Sequence, residues 1–242
     1  MRIVVISATS TIARACVAHW ANAGSHEFLL VGRSQARLKA TESDFAIRFQ
    51  NSKFSSLELD FHSSSDVQKL IDLLAKKPVD LALVAQGSLT EQAEASKELG
   101  YLKQQLELNV ISAALFAEGL AGLFERQGFG TLGVIGSVAG DRGRAYNYSY
   151  GSSKAFLETY AQGLQQRFAK AKVRVSLIKP GPTATPMTST HKGKLADPVD
   201  VAKVIVAGLA KGRRTIYAPK LWRLIMFVVR AIPFFIFKRL NF

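Results

Sequence analysis

RIVVISATSTIARACVAHWANA, residues 2 to 23, sets the fold class of this chain. Ile3 to Ile6 are an unbroken β-branched run, which suits a strand covered on both faces. From about residue 10 to 23 the pattern changes to a helix-length segment, so the unit reads strand, small-residue turn, helix. The unit then recurs. EFLLVG is followed by a helix over 34–50, FSSLELD by one over 64–76, and VDLALVA by a long helical stretch ending near Arg126. TLGVIGS precedes a helix from about 146 to 171, VRVSLIK a Gly/Pro/Thr loop and a helix over 197–211, and RTIYA closes the series. Apolar strands alternating with helices predict a doubly wound α/β fold: about seven parallel strands, helices on both faces, and ligands beyond the carboxyl ends of the strands.

The chain of 242 residues reads as one domain over 1–218 and a basic, hydrophobic tail over 219–242. A lone cysteine, Cys16, cannot form an internal disulfide and sits in an apolar helix-like stretch, as an inert core residue would. MRIVVIS enters a strand directly instead of forming a cleavable signal, so the expected compartment is the cytoplasm. The net charge of +14 raises the question of nucleic acid, but its distribution argues otherwise. Residues 201–242 carry nine basic side chains and no acidic one, leaving +5 for the first 200. No nucleic-acid partner and no metal are expected.

The catalytic reading rests on Tyr150 and Lys154, with Ser137 thirteen residues before the tyrosine at the end of TLGVIGS. Residues four apart share a helix face. An ammonium at Lys154 is expected to bring the Tyr150 phenol down from about 10 towards neutrality, making it a usable acid or base. Ser137 could hydrogen-bond the same substrate oxygen while a hydride arrives at the carbon. The Tyr/Lys spacing alone is common by chance, so the remaining motifs carry weight.

Between the first strand and helix lies Ser7-Ala8-Thr9-Ser10-Thr11-Ile12-Ala13, small residues at a helix N-terminus, where free N–H groups suit a pyrophosphate. The second strand ends without an acidic residue for a ribose hydroxyl; Arg33 stands where a guanidinium would meet the 2'-phosphate of NADP, and Ser10 could add a hydroxyl. In chain order these positions resemble the short-chain dehydrogenase/reductase family. Ser7, Thr11 and Ala13 replace the three glycines of its GxxxGxG loop, and Thr9 and Ile12 fall within it. The resemblance implies that Asp60 and the neighbouring Phe61 contact the adenine, and that Ala85-Gln86-Gly87 stands for the family's Asn-Ala-Gly. It further implies that Asn109 bends its helix and holds a water in a proton relay. Pro180-Gly181-Pro182-Thr183-Ala184-Thr185 matches the PGxxxT loop, with Thr183 and Thr185 holding the nicotinamide carboxamide. Lys154 would bind the nicotinamide ribose as well as tune Tyr150. The glycine-less ATSTIA loop, the stretch GSVAGDRGRAYNYSYGSSKA and the tail look most like a bacterial decaprenylphosphoryl-2-keto-ribose 2-reductase branch, which implies a lipid-linked keto-sugar. Met187 to Ala196 is expected to cover the substrate, with His191 exposed within it.

Leu221 to Phe237 is nearly all apolar, but Arg223 and Arg230 interrupt it and Pro233 breaks the helix. Its longest uncharged piece, Ala231 to Phe237, is far shorter than the ~20 residues of a bilayer span. A kinked segment in the headgroup plane of an anionic membrane is the expectation, at the inner face of the cytoplasmic membrane; packing on a sister subunit in a homo-oligomer is the alternative. Function reads as NADPH-dependent reduction of a ketone on an amphiphilic or lipid-linked substrate. A soluble hydrophobic ketone or acyl substrate, and a non-catalytic nucleotide-sensing scaffold, remain alternatives.

Overall fold

The run Ile3–Ile6 sends alternate side chains to opposite faces, and both faces are covered: Ile3 and Val5 join one core cluster, Val4 and Ile6 the other. In the computed structural model, which describes residues 1–190 and 192–240, this strand lies inside a single sheet. The chain runs β1 (Arg2–Ile6), α1 (Thr11–Ala23), β2 (Glu27–Gly32), α2 (Gln35–Arg48), β3 (Lys53–Glu58), α3 (Ser64–Leu74) and β4 (Leu81–Val84). Then come α4 (Gln92–Ala95), α5 (Leu99–Leu106), a π-helical turn (Glu107–Ser112), α6 (Ala113–Gln127), β5 (Phe129–Ile135) and a 3-10 turn (Val138–Asp141). The rest is α7 (Tyr148–Arg167), β6 (Lys172–Pro180), a second 3-10 turn (Pro186–Thr188), α8 (Pro198–Ala210), β7 (Thr215–Ala218), α9 (Trp222–Ala231) and α10 (Phe234–Phe237).

Seven parallel strands pair in the order β3-β2-β1-β4-β5-β6-β7. The expected doubly wound fold is therefore present, with the strand order reversing between β1 and β4. One face is packed by α1, α2 and α8 through Val17, Trp20, Leu38, Phe45 and Ile205. The other is packed by α3, α6 and α7 through Leu70, Phe116, Leu120 and Leu157. Cys16 is buried in the first layer, and burial pushes its thiol up, which keeps it inert.

Helix limits move by a few residues from the sequence reading, most at α7, which starts two residues later than 146 and stops at Arg167. The long helix ending near Arg126 is interrupted by the π-helical turn that contains Asn109. The run Leu99–Gln127 is long and apolar enough to cross a membrane by length and composition, yet half of its most apolar window is buried. Phe116, Leu120 and Phe124 spend that face on the sheet, which marks it as a core helix.

The tail supplies the largest departure. Residues beyond β7 fold back on their own domain: Met226 and Val229 of α9 pack on Val138 just after β5, with Trp222, Ile225 and Phe237 around them. The helix stops because Ile232 turns extended before Pro233, which has no N–H to continue it. Its last carbonyls are taken by Arg142, whose Nη1 donates to Val229 O at 2.6 Å, Arg230 O at 3.2 Å and Ile232 O at 2.6 Å. The same guanidinium lies 3.7 Å from the Phe237 ring centroid.

Candidate active site

Beyond the carboxyl ends of the strands opens a cavity of about 1680 Å³, lined by the β1–α1 turn, the ends of β4, β5 and β6, the start of α7, and the tail. Most drug-sized ligand pockets are about 300–1,000 Å³, so this one has room for two molecules side by side.

Tyr150 and Lys154 lie on the first turns of α7 and both line the cavity, with Ser137 at the end of β5 facing them. The Ser137 hydroxyl oxygen accepts from Ala139 N at 3.1 Å, which leaves its proton free to donate. Lys154 is buried; its Nζ donates to Ile135 O at 3.4 Å and stands 5.6 Å from the Tyr150 ring centroid. The ammonium thus sits by the ring and the strand carbonyl, and the expected lowering of the phenol does not occur. Burial pushes Tyr150 up to about 12, only partly offset by the hydrogen bond with Ser137. Burial also brings Lys154 down to about 8. The result is a phenol held protonated, poised to give a proton.

Gly87 explains part of this arrangement. At φ +153 it has a backbone that side chains rarely adopt, and a Cβ there would lie 2.9 Å from Lys154 Nζ and 3.0 Å from Asn109 Oδ1. Asn109 is fully buried and engaged: its Oδ1 accepts from Ser88 N at 2.9 Å and its Nδ2 donates to Ser88 O at 3.1 Å. The expected bend is there as the π-helical turn, but this side chain anchors the loop after β4, and one N–H of Nδ2 and one lone pair of Oδ1 are left for a water. Ala85 and Gln86 line the cavity beside Gly87; Gln86 Nε2 donates to Ser112 Oγ at 2.6 Å, while its Oε1 is buried without a partner among the described residues.

At the β1–α1 turn, Thr9, Ser10, Thr11 and Ile12 all line the cavity. Ser10 caps α1, its hydroxyl accepting from Ala13 N at 3.3 Å. Ser7 lies outside the lining but adopts φ +61, so it carries the left-handed conformation that a glycine would take without strain. Pro180, Gly181, Thr183 and Thr185 line the opposite wall; Thr183 Oγ1 donates to Gly181 O at 2.8 Å, and Thr185 caps the turn Pro186–Thr188.

Besides Ser7, three assigned cofactor residues lie off the cavity lining. Phe61 is a core residue, 1% exposed, with its ring edge-on to Phe116 at 5.0 Å, so packing has claimed the face an adenine would need. Asp60 is exposed and off the lining, its carboxylate accepting from His62 N at 2.9 Å in a local turn. Arg33 is also exposed and off the lining, 5.9 Å from the Phe61 centroid, whereas Arg37, four residues on, lines the cavity. The loop Met187 to Ala196 contributes Met187, Lys192 and Lys194 to the lining; His191 lies outside the described residues.

The sequence reading missed two features. Behind Ser137, the 1%-exposed Lys179 of β6 donates to Asp141 and, at 2.7 Å, to Glu158 of α7, while Tyr217 Oη donates to Asp141 Oδ2 at 3.2 Å. Burial lowers the ammonium, but the two carboxylates outweigh it and hold Lys179 above its ordinary value. The signal was a lysine next to the end of β6, directly after the apolar pair Leu177-Ile178. The tail wall was missed too: Trp222, Ile225, Val229, Phe234 and Phe237 line the cavity, and a Cβ on Gly181 would collide with the Trp222 indole.

Residues 1–195 match the family model described as short chain dehydrogenase. An uncharacterized oxidoreductase of Streptomyces coelicolor is 36% identical over 191 residues, 77% of this chain and 73% of that one. An uncharacterized oxidoreductase of Mycobacterium tuberculosis is 30% identical over 165 residues, 67% of this chain and 66% of its own. Among solved structures, a short-chain dehydrogenase from Sphingobium yanoikuyae in complex with NADPH superposes with TM-score 0.83 at 18% identity, covering 100% of this chain and 97% of that one. One from Burkholderia cenocepacia in complex with NADP gives 0.84 at 16% identity, over 100% and 97%. With the family model spanning most of its length and a relative above 30% identity, the chain belongs to the short-chain dehydrogenase family of oxidoreductases.

Proposed function

We propose that the protein is an NADPH-dependent carbonyl reductase that converts a ketone on an amphiphilic molecule to an alcohol. A dinucleotide fits the cavity: the free N–H groups opening α1 suit a pyrophosphate, Gly87 presents bare backbone to the lining, and the Pro180–Thr185 loop offers backbone and hydroxyl partners. Two fold relatives that hold NADPH and NADP support the same choice. Arg33 and Arg37 are the two cations near the end of β2 that could meet a 2'-phosphate.

The hydride for the carbonyl carbon would come from NADPH held by these residues. Tyr150, protonated because it is buried, gives its proton to the carbonyl oxygen. Ser137 donates to the same oxygen and stabilises the charge that builds on it. Lys154, positively charged below about pH 8, would hold the nicotinamide ribose and favours the phenolate left after transfer. Asn109 anchors the loop that keeps Gly87 against Lys154.

The lining carries the substrate reading. Gln86 Oε1, Thr90 Oγ1 and Asn147 Oδ1 are buried polar atoms of cavity residues with no partner among the described residues, apt for hydroxyl donors. Opposite them stands the apolar wall of α9 and α10, and Lys192, Lys194 and Lys238 line the cavity as cations suited to a phosphate. A polar head, an anionic link and an apolar chain would satisfy all three. The likeness to decaprenylphosphoryl-2-keto-ribose 2-reductases makes a polyprenyl-phosphate keto-sugar our favoured substrate, with a role in cell-envelope biosynthesis at the cytoplasmic side. The test is NADPH oxidation against lipid-linked keto-sugars and soluble ketones, with Tyr150→Phe as control. That variant should keep NADPH affinity and lose roughly 10²–10⁴-fold in turnover. Near-normal turnover would overturn the mechanism, and preference for a soluble ketone the substrate.

A further inference from the structure

The inner face of α9 is spent on the cavity and on Val138; its outer face is exposed. Leu221, Leu224, Phe227 and Val228 project outward, and Phe235 continues the patch past Pro233, with Phe227 more than 70% exposed. A single exposed leucine is ordinary; five large apolar side chains on one short segment are not. We propose that this outer face docks on the surface of an anionic lipid bilayer, as a strap lying in the headgroup plane.

Charge selects the occupant. Lys220, Arg223, Arg230, Lys238 and Arg239 accompany the patch, and no acidic residue occurs from Val201 onward. Arg223 and Arg230, seven residues apart, share one flank of the helix, where they can reach phosphates while the apolar stripe beside them dips below. A second copy of the chain is a poorer occupant. An isologous pair would set this cationic segment against itself, in a protein already at +14. The ten residues of α9 span about 15 Å, half of a hydrocarbon core, so the segment lies on the bilayer and does not cross it. The same strap walls the cavity through Phe234 and Phe237, which puts the cavity beside the lipid surface. Docking itself does not rest on the reductase reading.

Flotation of the full chain with vesicles tests this without turnover. Vesicles of phosphatidylglycerol and phosphatidylcholine in equal parts should carry the protein at low salt, and pure phosphatidylcholine vesicles should carry far less. Arg223→Gln with Arg230→Gln should weaken partition roughly 25-fold, at about fivefold per basic side chain. Leu224→Gln, Phe227→Gln and Val228→Gln together should weaken it by more than about tenfold. These exposed positions should leave the unfolding midpoint unchanged, so a loss of partition is not a loss of fold. Three results would overturn the proposal: no binding to anionic vesicles at low salt, wild-type partition by the triple-Gln variant, or a stable dimer that the triple-Gln variant splits while wild type ignores lipid.

Discussion

Arg142→Ala should release the C-terminal strap without unfolding the domain. One nitrogen of Arg142 donates to three carbonyls at the end of α9, sharing two N–H groups among them, so the contacts count as about two bonds. A hydrogen bond from a charged donor contributes about 1.5–3 kcal/mol net, and the guanidinium over Phe237 adds about 0.5–1 kcal/mol. The freed carbonyls lie at an open helix end where water replaces part of the loss, which leaves about 2–4 kcal/mol. At 1.4 kcal/mol per factor of ten, the opening equilibrium of the strap shifts roughly 30- to 700-fold. Hydrogen exchange reads this directly: amides of Met226 to Arg230 should lose protection by that factor, while those of β1 and β4 keep theirs. Unchanged exchange in α9, or equal acceleration in the central strands, would refute the clamp.

Lys179→Met strands the fully buried Asp141 carboxylate with Tyr217 alone, and should cost about 3–5 kcal/mol in urea unfolding; adding Asp141→Asn should recover part of it. Arg33→Ala with Arg37→Ala should weaken NADPH roughly tenfold or more while sparing NADH, measured by nucleotide fluorescence; equal losses would make both side chains structural. Lys154 is charged below about pH 8 and neutral above it, so NADPH affinity should be level at lower pH and fall as pH rises through that value. Lys154→Met should be weaker at every pH and flat, and a level wild-type profile to about pH 10 would remove the ammonium from cofactor binding.

The fold was legible because its signals are local. Ile3–Ile6, Leu81–Val84 and their counterparts are apolar on both faces, and only a sheet covered twice satisfies such strands. Tyr150, Lys154 and Ser137 were legible for a similar reason: helix spacing and the end of a strand bring them to one place whatever the rest does. Ser10 likewise follows from its position at the start of α1.

Tertiary structure alone decided what those groups experience. Tyr150 is raised, not lowered, because burial depends on every neighbour while sequence spacing reports only Lys154. Phe61 and Arg33 lie at plausible positions along the chain, but the ring of one is claimed by Phe116 and the guanidinium of the other stands off the cavity. The tail shows the point most clearly. Composition marks it as basic and apolar, a pattern that points to a membrane, with a sister subunit as the alternative, and says nothing of its own domain. Only the meeting of Arg142 with the carbonyls of Val229 and Ile232, across nearly ninety residues of chain, closes α9 over the cavity and divides the helix into a wall and an open face. Contacts between groups that far apart leave no periodicity to read, because their energy exists only once the intervening sheet has set the distance between them.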